Sequence, residues 1–240
     1  MSDNLSIPHR FNGPKDSGNG GYVGGLLGKR FDGAASISLR LPPPLETPLD
    51  VVPDGKALNL TLLDGTLVAH AEPGVVDMEI PTPPSFEEAE AAQPHYAGHK
   101  FHALPTCFVC GTGRANGDGL RIFASPIESD GPALVAAPWI PDASLADDGI
   151  VREEFIWASL DCPGYFAVIH ALKSKGEKIL TGRMTVSLKL PVKAGERHVI
   201  TGWCVNSEGR KHWAGTALFN AAGDLAACAE TLWIKPRAQG

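Results

Sequence analysis

The chain has 240 residues, 43% hydrophobic and 20% charged, with a net charge of −6. That length supports one large domain or two small ones around a proper core. An acidic balance with no long basic run excludes nucleic acid as the main partner, and no apolar run approaches the ~20 residues of a membrane span.

The opening MSDNLSIPHRF lacks the apolar core of a secretory signal. Five cysteines without such a signal lead us to expect reduced thiols in a cytoplasm. The 27 glycines and 20 prolines imply many turns and a β-rich fold. Residues 1–16 are mostly polar and contain Pro8 and Pro14, with Phe11 able to pack on a core. Ser17–Gly28, SGNGGYVGGLLG, reads as a Gly-rich loop entering a helix. Gly20 and Gly21 stand at its start, where backbone N–H groups lack internal partners and can bind an anion or a developing oxyanion. The Gly-Lys-Ser/Thr ending of a P-loop is missing, and no strand precedes the glycines as in a dinucleotide fingerprint. The same glycines can equally serve only to let the helix pack very close to a sheet.

Ala35–Leu41 alternates Ile37, Leu39 and Leu41 with Ser36, Ser38 and Arg40, the pattern of a half-buried strand. Leu49–Val52 and Lys56–Leu63 read as strands, and Asp64-Gly65 as the turn into a partner strand at Thr66–Ala71. From Pro73 to Gly119 repeated prolines rule out long elements, apart from a short helix that Ser85 and Glu88 cap. This region is expected to cross the surface as a connector. Further strands are expected at Gly119–Ala124, Ala133–Trp139, Met184–Leu190, His198–Val205, His212–Asn220 and Leu225–Ile234.

Between them Gly149–Leu172 is the longest helix-like run, with Val151, Phe155, Ala158 and Cys162 on one face. Asp161 stands in its apolar centre, and Pro163 is expected to kink or break the helix. A carboxylate there must be paired, hydrogen-bonded or useful. It can also do no more than cap a second helical segment from Pro163.

The halves echo each other. Ser36–Pro42 matches Thr185–Pro191 almost type for type, each after a helix containing Gly or Ala. Two copies of one α+β unit are expected, the first with a curtailed helix and one or two strands fewer. Phe11-Asn12-Gly13-Pro14, GNGGYVGGLLG and SLRLPPPLETPL resemble the first half of double-hotdog acyl-CoA thioesterase-like proteins. Cys107–Phe123, CFVCGTGRANGDGLRIF, resembles the opening segment of many hotdog thioesterases. The resemblance covers Phe11 to Pro236. It implies an α+β double hotdog: 1–80 as an N-terminal, degenerate half, 81–118 as connector, and 119–240 as the C-terminal half.

It also implies active sites between the two helices. Many such enzymes carry His-Gly-Gly at the helix start and an acid two and a half turns on. Asn19-Gly20-Gly21 keeps the glycines but not the His, and Gly28 falls where the acid would be. Asp161 keeps the acid, while Arg152-Glu153-Glu154 replaces His-Gly-Gly. The implied pairing is Asn19, Gly20 and Gly21 with Asp161 as general base or nucleophile, giving one working site and one dead one. The expected substrate is an acyl thioester, with CoA as carrier and its phosphate at Arg210 and Lys211. No cofactor is expected. The alternative is a non-catalytic acyl or CoA binder, or a scaffold of the same fold. Edge strands left in each half make a homodimer of double units the expected assembly.

His99, His102, Cys107 and Cys110 could hold zinc, although reduced structural thiols in a tight turn fit the spacing better, and no metal is assigned. Cys162, Cys204 and Cys228 read as core residues.

Overall fold

Alternation and turn chemistry account for most of the strands. The computed structural model describes residues 3–129, 131–174, 176 and 178–237. The first half contains β1 (Asp3–Leu5), helix α1 (Gly20–Gly28), β2 (Ala35–Leu39), β3 (Leu49–Asp54), β4 (Ala57–Leu62) and β5 (Leu67–Pro73). The connector holds α2 (Phe86–Ala92), started by the expected reciprocal bonds of Ser85 and Glu88. The second half contains β6 (Ser125–Ile127), β7 (Leu134–Trp139), the two-residue strands β8 (Ala146–Asp147) and β9 (Ile150–Val151), and helix α3 (Glu153–Ala171). It ends with β10 (Leu180–Leu188), β11 (His198–Glu208), β12 (Lys211–Phe219) and β13 (Leu225–Ile234).

One antiparallel sheet of eleven strands carries the chain, in the order β1-β3-β4-β5-β2-β10-β13-β12-β11-β7-β6. The halves meet at β2 and β10, with Thr185 opposite Ser36 and their hydroxyls 3.0 Å apart. These are the residues that the internal repeat makes equivalent. Outward from this junction the first half runs β2, β5, β4, β3, β1 and the second β10, β13, β12, β11, β7, β6. The first half gives this sheet five strands and the second six, with β8 and β9 forming a separate two-stranded sheet. The strands of the first half are shorter, and α1 has 9 residues against 19 in α3. Both helices pack on the same side of the sheet and against each other.

Three expectations need correction. The long helix starts at Glu153, not Gly149. Asp148 (φ 50°) and Gly149 (φ 81°) are both left-handed, the geometry of a tight hairpin turn, and so form the turn between β8 and β9. Pro163 does not break α3, which runs through it. Pro163 leaves the Ser159 carbonyl without its helical donor, and at the next residue Thr216 Oγ1 donates to the Leu160 carbonyl at 2.9 Å, holding this turn to β12. Residues Gly119–Ala124 form no strand. Arg121 sits at φ 54°, and isolated bonds hold the segment in place of a ladder: Leu120 and Ile122 N–H to the Phe108 and Val109 carbonyls, and the Arg121 guanidinium to the Arg114 carbonyl.

The connector is also not confined to the surface. Val76, Met78 and Ile80 pack on Leu134, Trp203, Ala217, Phe219 and Cys228, covering the back of the sheet. Tyr96, Cys107, Phe108, Val109 and Cys110 are buried. Such a loop is tolerated because its backbone is paired: Phe108 N–H with the Asn12 carbonyl, and Gly111 N–H with that of Cys107. Among the described residues no helix is long and apolar enough to cross a membrane.

Candidate active site

Asn19 caps α1. Its side-chain oxygen accepts from Tyr22 N–H at 2.9 Å, which leaves its amide NH₂ free to point away from the helix. That NH₂ donates to Asp161 Oδ2 at 2.9 Å, and the Gly21 N–H donates to the same oxygen at 3.2 Å. Thr181, on β10, donates its hydroxyl to Asp161 Oδ1 at 2.9 Å. The structure thus brings Asn19, Gly21 and Asp161 together, and adds Thr181. Its only signal in the sequence is its place at the start of a strand following the helix.

Asp161 is 3% exposed. Burial raises its pKa to about 6 against the opposing effect of the Thr181, Gly21 and Asn19 donors. Two donors occupy Oδ2 and one occupies Oδ1, so Oδ1 keeps a lone pair for a further donor such as water. Gly20 stands beside Thr181: a Cβ on it would lie 3.0 Å from Thr181 Cβ and 3.3 Å from Leu39 Cδ1. All three of these residues are partly exposed. The Gly20 N–H opens the helix and has no hydrogen-bond partner among the described residues. The Gly21 N–H, expected as an oxyanion donor, instead holds the carboxylate.

Close approach of the helices explains the glycines. A Cβ at Gly21 would sit 2.6 Å from the Trp157 carbonyl, and one at Gly25 2.4 Å from Glu154 Cα. For Gly21, Gly24, Gly25 and Gly28 the neighbour is α3 rather than the sheet. Counted from the first residue of each helix, Gly28 stands where Asp161 stands. There the Trp157 indole fills the space, since a Gly28 Cβ would lie 2.4 Å from its Cζ2. Glu154 pairs with Lys29 at 3.5 Å and Arg152 at 3.4 Å. Burial, then the neighbouring Glu154, raises the Glu153 carboxyl above its ordinary pKa. The mirror position thus holds an indole and an ion-pair cluster in place of a carboxylate facing free N–H groups.

Arg210 and Lys211 lie elsewhere, exposed at the turn from β11 to β12, where the Arg210 guanidinium donates to the Lys235 carbonyl at 3.0 Å. Lys211 stands opposite Ile234, which stands opposite Leu180 beside Thr181, so Lys211 lies two strand spacings, about 10 Å, across the sheet from Leu180.

The two-His, two-Cys set is not assembled. His99 is exposed. His102 Nε2 lies 2.9 Å from the Cys110 carbonyl and 3.0 Å from the Tyr96 hydroxyl, while its Nδ1 accepts from Leu104 N–H at 3.0 Å. Burial lowers the His102 pKa. Cys162 is also more than a core filler, because it joins Cys107 and Cys110. All five cysteines are free thiols.

No family model matches the sequence, and no curated protein matches it. Solved structures do share its fold. The tesB protein of Mycobacterium avium subspecies paratuberculosis is 14% identical with a TM-score of 0.64, over 97% of this chain and 91% of that one. The acyl-CoA thioesterase II TesB2 of Mycobacterium marinum is 12% identical with a TM-score of 0.61, over 99% of this chain and 93% of that one. Over nearly its whole length, this chain therefore shares the fold of the tesB protein and of the acyl-CoA thioesterase II TesB2.

Proposed function

We propose that this protein hydrolyses acyl thioesters, CoA esters foremost, with Asp161 as general base at one site between the two helices of a double hotdog. Residues 1–80 form the degenerate half, 81–118 the connector and 119–240 the fuller half. The observation that carries the reading is the Asp161 carboxylate, buried and held by Asn19, Gly21 and Thr181 with one lone pair of Oδ1 open. A water donating to Oδ1 attacks the thioester carbonyl while Asp161 takes its proton. The Gly20 N–H faces the developing oxyanion. Collapse of the tetrahedral intermediate breaks the C–S bond, and the proton held by Asp161 leaves with the thiol. General base fits better than nucleophile, because three donors already fix the carboxylate in place. Arg210 and Lys211 would meet the phosphates of the carrier.

A panel of acyl-CoA esters with free-thiol detection is expected to give turnover with at least one chain length. No thiol release from any ester would end the enzymatic reading. The rate should also follow the ionised carboxylate. With a pKa of about 6, kcat/KM is expected to be level above neutrality and to fall as pH drops through about 6. A profile still flat at pH 5 would remove Asp161 from the base role.

One observation favours a second reading. Each Asp161 oxygen already has a donor from the protein, as in a purely structural contact between helices. On that reading the protein binds an acyl or CoA ligand without turnover. Thermal shifts with CoA and acyl-CoA, without thiol release, would mark it.

A further inference from the structure

We propose that Cys107, Cys110 and Cys162 form a site for one thiophilic metal ion, zinc(II) or copper(I), that fastens the connector to α3. Their sulfurs come from a loop and a helix 55 residues apart, yet all three lie within 4.8 Å of one another. All three residues are buried.

The spacing suits coordination. Cys107 and Cys162 sulfurs are 3.7 Å apart. Two sulfurs at ~2.3 Å from a tetrahedral zinc lie about 3.8 Å apart. A disulfide needs ~2.05 Å and would leave the third thiol without a role. The two remaining cysteines, Cys204 and Cys228, lie outside this group.

The turn around Cys107 is built as metal-binding turns are. Gly111 N–H closes it on the Cys107 carbonyl at 2.9 Å. A Cβ at Gly111 would strike that oxygen at 2.5 Å, so only glycine fits.

The surroundings fix the second cysteine too. The Tyr96 hydroxyl and His102 Nε2 both donate to the Cys110 carbonyl, at 3.0 and 2.9 Å. Because His102 Nδ1 accepts from Leu104 N–H, the proton resides on Nε2. His102 therefore orients the turn and is not a ligand, in the way outer groups commonly orient metal ligands. Three sulfurs suffice for copper(I), while zinc(II) would add one small ligand at its fourth position.

The test uses the full chain carrying no polyhistidine, purified under reducing conditions without chelator, with metal read by mass spectrometry. One zinc or copper per chain is expected, and which one is found identifies the ion. The metal-free protein should take up one equivalent of added Zn²⁺ or Cu⁺. One equivalent of Co²⁺ should give sulfur-to-metal charge-transfer absorption with tetrahedral d–d bands, and Zn²⁺ should raise Tm. Cys110→Ser should lose the equivalent, and Cys228→Ser should keep it. The cobalt spectrum of the unaltered chain decides the matter even where a variant does not fold. Absence of uptake by the reduced protein, a cobalt spectrum without sulfur ligation, or full retention of metal in Cys110→Ser would overturn the site.

Discussion

Asp161→Asn is expected to lower kcat/KM for acyl-CoA hydrolysis by about 10²–10⁴-fold, the range of a lost general base. The protein should remain folded. Asn keeps an acceptor oxygen for the Gly21 N–H and the Asn19 amide, and the Thr181 hydroxyl can rotate to accept from the new NH₂. A native Asp161 pKa raised to about 6 means that the folded state binds a proton more tightly than the unfolded chain. Its contribution therefore favours the fold at low pH and is lost as pH rises from the ordinary carboxylate range through about 6. At neutral pH the buried charge costs on the order of 3 kcal/mol. Replacing it with a neutral amide removes that cost, so Tm at pH 7.5 should hold or rise. Steady-state kinetics beside thermal melts separate the two roles: a purely structural Asp161 predicts lost stability, whereas a base predicts lost rate in a stable fold. Unchanged turnover would refute the assignment.

Gly21→Val should abolish turnover by separating the helices. A Cβ at Gly21 meets the Trp157 carbonyl at 2.6 Å, Asp161 Cβ at 2.8 Å and Ala158 Cα at 3.0 Å. None of these can swing aside, since two are backbone atoms of α3 and the third is fixed to it. Overpacking of this kind costs ~1–3 kcal/mol or more, and the Gly21 N–H is drawn away from Asp161 as well. A drop of several degrees in Tm together with lost activity is expected. Gly28→Asp is the informative partner. The repeat makes Gly28 equivalent to Asp161, yet a side chain there runs into the Trp157 indole at 2.4 Å. It should destabilise the chain and create no second active site. Active-site titration giving two sites per chain in Gly28→Asp, or an unaltered Tm in Gly21→Val, would contradict this account of the helix contact.

Local sequence determined what depends on neighbours along the chain. Alternation at Ile37 and Leu39, and at Met184, Val186 and Leu188, marks two strands. Their matching type pattern anticipates an equivalence that the structure realises as adjacent strands, with Ser36 opposite Thr185. The Asp64-Gly65 turn and the Ser85 cap are equally local and equally legible. Asp161 stood out because a carboxylate in an apolar helix needs a partner, and Asn19 and Gly21 were among the partners that the resemblance implied. Tertiary structure decided everything that depends on which elements meet. Thr181 reaches Asp161 only because β10 runs beside the start of α1, and no spacing in the chain encodes that. The glycines of α1 answer to Trp157 and Glu154, more than a hundred residues later. CFVC read as a surface turn because its neighbours are prolines and polar residues. It is buried because Asn12, Tyr96 and His102 satisfy its backbone from outside the segment. Cys162 read as core for the same reason: a helix face shows that a side chain is buried, but not that two other thiols wait on the far side of the contact.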